Sequence, residues 1–213
     1  LFKDEEDIAS WPDQTAVAGK VYPGDIRYLD LNCDGVVNSY DMKPLGSTGI
    51  PEIVYGFGAS ASWKGFDVSL FFQGVGNISL NTYSSLTCGF IQNSIYRNNL
   101  LADVYGNYWT PDNPDAKYPR LSVNAGSNNN SVRSTFWQQD GSYLRLKNAE
   151  IGYSLPKRLV NKAGLQTVRF FVAGDNLLTF SKFKLWDPDQ NDANGVFQYP
   201  INRTGTIGVN LVF

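Results

Sequence analysis

Residues 53–74 read IVYGFGASASWKGFDVSLFFQG. Residues 53–63 and 66–74 alternate between large apolar and small or polar side chains, a period of two that predicts β-strands. Lys64 and Gly65 lie between them and predict a two-residue hairpin turn, with glycine where a positive φ is needed. One face of this hairpin is apolar. That face would be the core of a soluble β-sandwich or the lipid-facing side of a membrane barrel.

The last ten residues, 204–213 (TGTIGVNLVF), repeat the pattern and finish on Phe213. A transmembrane β-strand needs roughly 9–11 residues that face lipid and lumen in turn, and aromatic side chains mark the membrane interfaces. The segment therefore fits the closing strand of an outer-membrane β-barrel. An ordinary amphipathic strand that happens to end on Phe213 fits it as well.

Two more strands are predicted, at 142–153 and at about 168–180. In the first of these strands, the apolar residues alternate in one phase at Leu144 and in the opposite phase at Ile151. This change of phase predicts a β-bulge near Lys147 and Asn148. The second has an irregularity at 174–176, and residues 156–166 between them are basic and suit one helical turn. The total is about five strands, too few to close a membrane barrel.

The connections between the strands alternate in length. Residues 64–65 and 154–167 are short, whereas 1–52, 75–141 and 181–203 are long. Outer-membrane barrels have short periplasmic turns and long external loops, and this alternation places all three long segments on one side. We therefore divide the chain into an external loop region, 1–52, and a strand region, 53–213, with external loops 75–141 and 181–203.

Composition restricts the function classes. The 18 basic and 20 acidic residues give a formal charge of −2, which argues against a nucleic-acid partner. The chain has no histidine, so serine–histidine and cysteine–histidine catalysis are excluded. Cys33 and Cys88 share no metal or redox spacing, and both a disulfide and two free thiols remain open. No leader-like pattern occurs at the N-terminus, and we expect the chain to be a piece of a longer protein.

Residues 30–41 (DLNCDGVVNSYD) match the twelve-residue calcium loop D-x-[DN]-x-[DN]-G-x₅-E, with aspartate replacing the final glutamate. Gly35 permits the sharp turn on which such a loop depends. We predict a structural Ca²⁺ site, with Mg²⁺ as the second choice, and an Asp/Asn-rich turn without an ion as the alternative. The predicted ligands are Asp30, Asn32, Asp34, the carbonyl of Val36, Asn38 through water, and Asp41.

Trp109 and Trp186 have acidic and tyrosine neighbours and are candidates for stacking on a substrate, or for packing loops together. An enzyme would need two facing carboxylates, and the paired aspartates of this chain flank prolines, as in turns. We therefore expect no enzyme. The pairs considered are Asp112 with Asp115 and Asp187 with Asp189.

Six segments in order resemble the C-terminal part of SusC/RagA-type TonB-linked outer-membrane transporters of Bacteroidota. They are PGDIRYLDLNCDGVVNSYD, YGFGASASWKGFDVSLFFQGVGN, YWTPDNPDAKYPRL, FWQQDGSYLRLKNAEIGYSLP, VRFFVAGDNLLTFSKF and IGVNLVF. The resemblance covers the chain from about Pro23 onward. It implies an all-β fold: the last strands, about five, of a 22-stranded transmembrane antiparallel barrel with long extracellular loops.

The resemblance also implies a function in the outer membrane, the uptake of oligosaccharides or peptides. A SusD-like surface lipoprotein would close over the barrel, and the TonB complex would act through an N-terminal region absent from this chain. Phe213 resembles the terminal aromatic residue read by the barrel-assembly machinery, and 30–41 resembles an external cation-binding loop. The alternative is a soluble, calcium-stabilised β-sandwich module that binds glycans at the cell surface.

Overall fold

A computed structural model describes residues 1–83, 100–122, 129–190, 199 and 201–213. Three short α-helices occur in these ranges: α1 (Glu5–Ala9), α2 (Thr15–Ala18) and α3 (Lys157–Val160). Single 3₁₀ turns lie at Ser39–Asp41, Asn129–Ser131 and Asn161–Ala163. The strands are β1 (Ile53–Trp63), β2 (Phe66–Gly76), β3 (Ser79–Asn81), β4 (Gln138–Asp140), β5 (Tyr143–Ser154), β6 (Thr167–Ser181) and β7 (Thr204–Val212). No helix in the described ranges has the length and apolar character needed to cross a membrane.

Five strands form one antiparallel sheet in the order β1-β2-β5-β6-β7. The predicted all-β fold is confirmed, and the described residues contain five long strands, as predicted. β1 and β7 lie at the two edges, so the described strands form an open section of sheet and not a closed barrel. The short strands β3 and β4 make a separate two-stranded sheet inside the segment 75–141, which the sequence predicts only as a loop.

The β1–β2 hairpin matches its prediction. The register runs without interruption from Ile53 opposite Gly76 to Trp63 opposite Phe66. Lys64 and Gly65 form the turn with φ values of 47° and 91°, as in the two-residue turns whose twist suits a hairpin. A Cβ atom on Gly65 would lie 2.8 Å from the Ser154 carbonyl oxygen, so this position needs glycine for space as well as for conformation.

The predicted bulge in β5 is also present. β2 pairs Phe71 with Asn148 and Phe72 with Leu146, which leaves Lys147 as an extra residue. On the other side of β5, the register with β6 shifts at the same point, and Asn176 in β6 has a φ of 53°. The predicted irregularity at 174–176 is therefore a second disturbance that lies beside the first.

The chain divides into two compact units. One contains the five-stranded sheet. The other includes Leu1–Gly46 and Leu80–Gln139, and has its own hydrophobic core. That core consists of Ile26, Val104, Tyr118 and Trp137, with partly buried aromatic and leucine side chains packed against it. Most of two segments predicted as external loops, 1–52 and 75–141, thus folds as a packed unit that buries apolar surface.

Candidate functional site

The sheet has one continuous apolar face. The register places Phe57 opposite Phe72, Val68 opposite Ile151, and Val172 opposite Ile207, so the same phase runs through all five strands. Two of these rings, Phe57 and Phe72, stack with centroids 5.2 Å apart. Many side chains on this face are about half exposed or more. They belong to Phe57, Trp63, Phe66, Ile151, Phe170, Val172, Leu178, Phe180, Ile207, Val209 and Leu211.

The opposite face is mostly small and polar, and it carries an ionic cluster. Arg169 of β6 donates from Nε to Asp67 at 3.0 Å and from Nη2 to Glu150 at 2.5 Å. Gly152 makes room for this cluster, because a Cβ atom there would collide with the Arg169 guanidinium. The arrangement spans three strands and fixes their relative positions from one side of the sheet.

A second cluster on the same face surrounds Arg145, whose side chain is only 2% exposed. Its Nη2 donates to Asp187 at 2.5 Å, and Nη1 lies 3.7 Å from Asp189. The Tyr143 hydroxyl donates to Asp189 at 2.8 Å. Sequence reasoning considered Asp187 and Asp189 only as a rejected catalytic pair. The structure shows that they hold the segment after β6 onto the polar face of β5.

The predicted cation loop is folded by its own carboxylates. Asp30 accepts backbone N–H bonds from Cys33 and Gly35 at 2.7 and 2.8 Å. Asp41 closes the loop by accepting from Leu31 at 2.7 Å and from Asn38 at 2.7 Å. The N–H of Asn38, with those of Leu31 and Asn32, lowers the pKa of Asp41. The loop therefore keeps this acid ionised while orienting its oxygens.

The donor chemistry of the loop fits a hard cation, because each predicted ligand contributes oxygen. Gly35 has a φ of 86°, as the turn in such a loop requires. In the described part of the chain, however, no group of three or more Asp, Glu, Cys or His side chains could hold a metal ion by itself. The mixed set of side-chain and carbonyl oxygens stays a prediction. Cys33 is an exposed free thiol, and Cys88 lies outside the described residues.

Neither candidate tryptophan is exposed as the stacking hypothesis expects. Trp109 is half-buried, with its ring against Gly24, and its buried Nε1 has no hydrogen-bond partner among the described residues. Trp186 is also half-buried and packs edge-on against Phe183, with ring centroids 4.8 Å apart. Such contacts are expected if the rings hold loop segments together, and the stacking role of both residues stays a prediction. Phe213 is exposed and directly follows β7.

A buried polar network lies in the unit outside the sheet, and sequence reasoning missed it. Asp25 has no exposed surface, and it accepts from Arg120 Nε at 2.6 Å and from Asn130 Nδ2 at 2.9 Å. Gln14 and Asn129 are buried beside it and hydrogen-bond each other at 2.7 Å. These partners are about 100 residues apart in sequence, and no local pattern links them. The network ties the first segment of the chain to 100–131.

Comparisons with known proteins give the following relatives. No protein-family model matches the chain. It is 36% identical over 96% of its length to TonB-dependent receptor P3 of Formosa agariphila, and 29% identical over its whole length to TonB-dependent receptor P26 of the same organism. Among solved structures, the RagAB peptide importer in its open-open state matches 78% of the chain with a TM-score of 0.60 and 26% identity. The chain spans about a fifth of the length of these relatives, 20% and 21% of the two receptors and 18% of the importer chain.

Proposed function

Because the chain belongs to the TonB-dependent receptors, of the SusC/RagA type, we propose that its sheet is a section of barrel wall in an outer-membrane transporter. The whole protein imports oligosaccharides or peptides with a SusD-like surface lipoprotein as its partner, and the TonB complex supplies energy through a region outside this chain. The proposal assigns the chain no catalytic activity. The observation that carries it is the exposed apolar face that continues across all five strands.

The two faces of the sheet support this proposal in different ways. In a barrel wall, an apolar outer face meets lipid while the inner face can be polar. Here the ionic residues Asp67, Glu150 and Arg169 share one face, and the large apolar side chains share the other. Strands of 9–15 residues, as observed for β1, β2, β5, β6 and β7, are long enough to cross the apolar layer.

The soluble β-sandwich alternative requires a second sheet that covers the apolar face. A sandwich covers the apolar face of one sheet with the face of a second sheet about 10 Å away. In the described ranges the second sheet consists of β3 and β4, strands of three residues each. Phe57 and Ile151 remain 53% and 51% exposed. A lipid bilayer would cover this apolar face, whereas β3 and β4 are too short to cover it.

The substrate class is proposed at the level of oligosaccharides or peptides. The RagAB structures are of a peptide importer, whereas the names of the Formosa receptors state no substrate. Uptake by cells that carry or lack the intact gene, tested with labelled peptides and labelled oligosaccharides, separates the two. Gene-dependent uptake of one class assigns it, and uptake of both classes by the deletion strain at the wild-type rate contradicts the transporter.

The first experiment is extraction of the native protein from its source membranes in detergent. We expect a polypeptide several times heavier than 23.7 kDa that enters the outer-membrane fraction and copurifies with a surface lipoprotein. A water-soluble protein of about 23.7 kDa would contradict the proposal and favour the calcium-stabilised module. A heavy outer-membrane protein that copurifies with no lipoprotein would support the barrel and contradict the proposed lipoprotein partner.

We also propose that residues 30–41 hold Ca²⁺ as a structural clip, with Asp30, Asn32, Asp34, Val36, Asn38 and Asp41 supplying oxygen. The ion would supply positive charge among three carboxylates and thereby stabilise the loop. Calcium is expected to slow proteolysis of the external region of the whole receptor. Asp34→Asn, which keeps side-chain size, should lose this protection, whereas Asp112→Asn on an exposed turn should keep it. If calcium protected the wild type, Asp34→Asn and Asp112→Asn equally against proteolysis, the result would contradict the calcium site.

A further inference from the structure

Charge is distributed unevenly along the chain. Residues 1–42 contain nine acidic and three basic residues, although the whole chain carries a formal charge of only −2. One of the acids, Asp25, is buried in its pair with Arg120, so the others dominate the surface of this segment. Between Tyr28 and Met42 there are three aspartates and no basic residue. A local excess of this size creates a negative surface in a nearly neutral protein.

Large apolar side chains are exposed within the same segment. Tyr40 is 81% exposed, Met42 70% and Leu29 65%. The hydrogen bond from the Leu31 N–H to Asp41 brings residue 31 beside residues 40–42, so these side chains lie at one closed loop and not along an extended chain. Single exposed apolar residues are ordinary, but a group at a fixed loop is typical of an interaction site.

A second acidic segment lies against this loop. The Asp13 N–H donates to the Gly35 carbonyl at 3.0 Å, and the Val37 N–H donates to the Asp13 carbonyl at 2.8 Å. The Trp11 indole donates to the Tyr28 carbonyl at 2.9 Å. These bonds attach residues 4–13, which include the acidic helix α1, to residues 29–42. We call the combined region, residues 4–13 and 29–42, the acidic-apolar surface.

The acids of the acidic-apolar surface have few cationic partners in the described part of the chain. Asp7 pairs with Arg27 at 3.1 Å. Asp13 and Asp41 accept backbone N–H bonds from Thr15 and Asn38, respectively. A calcium ion in 30–41 would offset two charges and leave the surface negative.

We propose that the acidic-apolar surface docks a protein that presents lysine and arginine side chains around an apolar pocket. The charge excess determines the sign of the partner, and the exposed Tyr40 and Met42 supply the apolar contacts on which interfaces depend most. This inference rests on the proposed function, in which the partner is the surface lipoprotein. It adds the part of this chain that the lipoprotein contacts and the chemistry of the opposing surface.

The test uses the full-length receptor and its copurified lipoprotein. Tyr40→Ser combined with Met42→Ser should weaken the affinity for the lipoprotein at least tenfold. Tyr105→Ser is the matched control, since Tyr105 is 77% exposed but lies outside the acidic-apolar surface. Binding by the wild type should also weaken as salt is raised, because charge attraction contributes to association. Barrel assembly of each variant is checked by its gel mobility before and after heating.

The charge component has a test of its own. Glu6 is exposed in α1 and lies outside the predicted cation loop, so its substitution leaves that loop intact. Glu6→Lys should weaken binding and reduce its salt dependence, because it replaces an attraction to the basic partner with a repulsion. An unchanged affinity and salt dependence in this variant would count against the inference.

The outcomes separate this inference from the proposed function. Weaker binding by the double variant, with Tyr105→Ser unchanged, supports the docking surface. Wild-type affinity in a correctly assembled double variant overturns the docking surface and leaves the lipoprotein in place as the partner. If the wild-type receptor copurifies with no lipoprotein, the partner in the proposed function is wrong, and the docking inference falls with it.

Discussion

Substituting Leu70 by arginine tests the lipid-facing assignment. β2 has 11 residues, and Leu70 lies one residue from its central position, Phe71. At a rise of about 3.4 Å per residue and a tilt of about 40°, Leu70 lies within roughly 3 Å of the strand midpoint. Its cross-strand neighbours Ala59 and Ala149 are apolar and offer no partner for a guanidinium.

An arginine at the bilayer midplane costs about 2–4 kcal/mol. Because Leu70 lies so close to the strand midpoint, we expect a cost near this range for Leu70→Arg. A cost of about 3 kcal/mol corresponds to roughly a 100-fold loss in the folding equilibrium. Ser69→Arg is the matched control. Ser69 is the preceding residue, faces the polar side, and lies opposite Ser60 and Glu150, so its arginine has a carboxylate nearby.

The measurement is urea-dependent folding of the full-length receptor into lipid vesicles, followed by the change in gel mobility of the folded barrel. We expect Leu70→Arg to lose about 3 kcal/mol of unfolding free energy and Ser69→Arg to lose less than about 1 kcal/mol. Equal stability of Leu70→Arg and the wild type would refute the reasoning. A larger loss in Ser69→Arg would show that the two faces have been assigned the wrong way round.

Three further predictions concern single contacts. Asp25→Ala leaves the Arg120 guanidinium without its buried carboxylate and should destabilise the unit outside the sheet by about 3 kcal/mol, measured by tryptophan fluorescence during urea unfolding; no change would contradict the role of the pair. Gly65→Ala forces a φ of 91° on alanine, which alone costs about 1–2 kcal/mol, and puts its Cβ against the Ser154 carbonyl oxygen, so the folding yield should fall; a normal yield would contradict the strain. The hydrogen bond from Lys117 lowers the pKa of Asp103, so its stabilisation is present above about pH 4 and is lost as the pH falls through the lowered pKa. Lys117→Met should reduce that acid dependence in thermal unfolding, and an unaltered pH profile would show that the contact contributes nothing measurable.

Strands with strict alternation were predictable from the sequence, because the pleat imposes a period of two on any sheet with two different faces. β1 occupies the predicted 53–63, and the bulge at Lys147 followed from a change of phase. The phase identifies which residues share a face. It does not distinguish a lipid-facing surface from a protein core, and the proposed lipid contact rests on the exposure of the apolar face.

The unit outside the sheet was not predictable as a folded unit. Its core joins Ile26 to Trp137, and its polar network joins Asp25 to Asn130, contacts made by residues about 100 positions apart. Tertiary pairing of this kind leaves no periodic trace. The loop 30–41 was the exception, because twelve contiguous residues carry their own hydrogen-bond pattern and their own glycine at a positive φ.

The extra residue in β5 also limits how this part of the protein can change length during evolution. Deleting Lys147 would remove the bulge and restore strict alternation along β5, so that Glu150 would stay on the polar face and Ile151 on the apolar one. The matching irregularity in β6 would then have no counterpart. A viable deletion in β5 would therefore require a compensating change in β6. The bulge of β5 and the irregularity of β6 should gain or lose residues together among descendants of this chain.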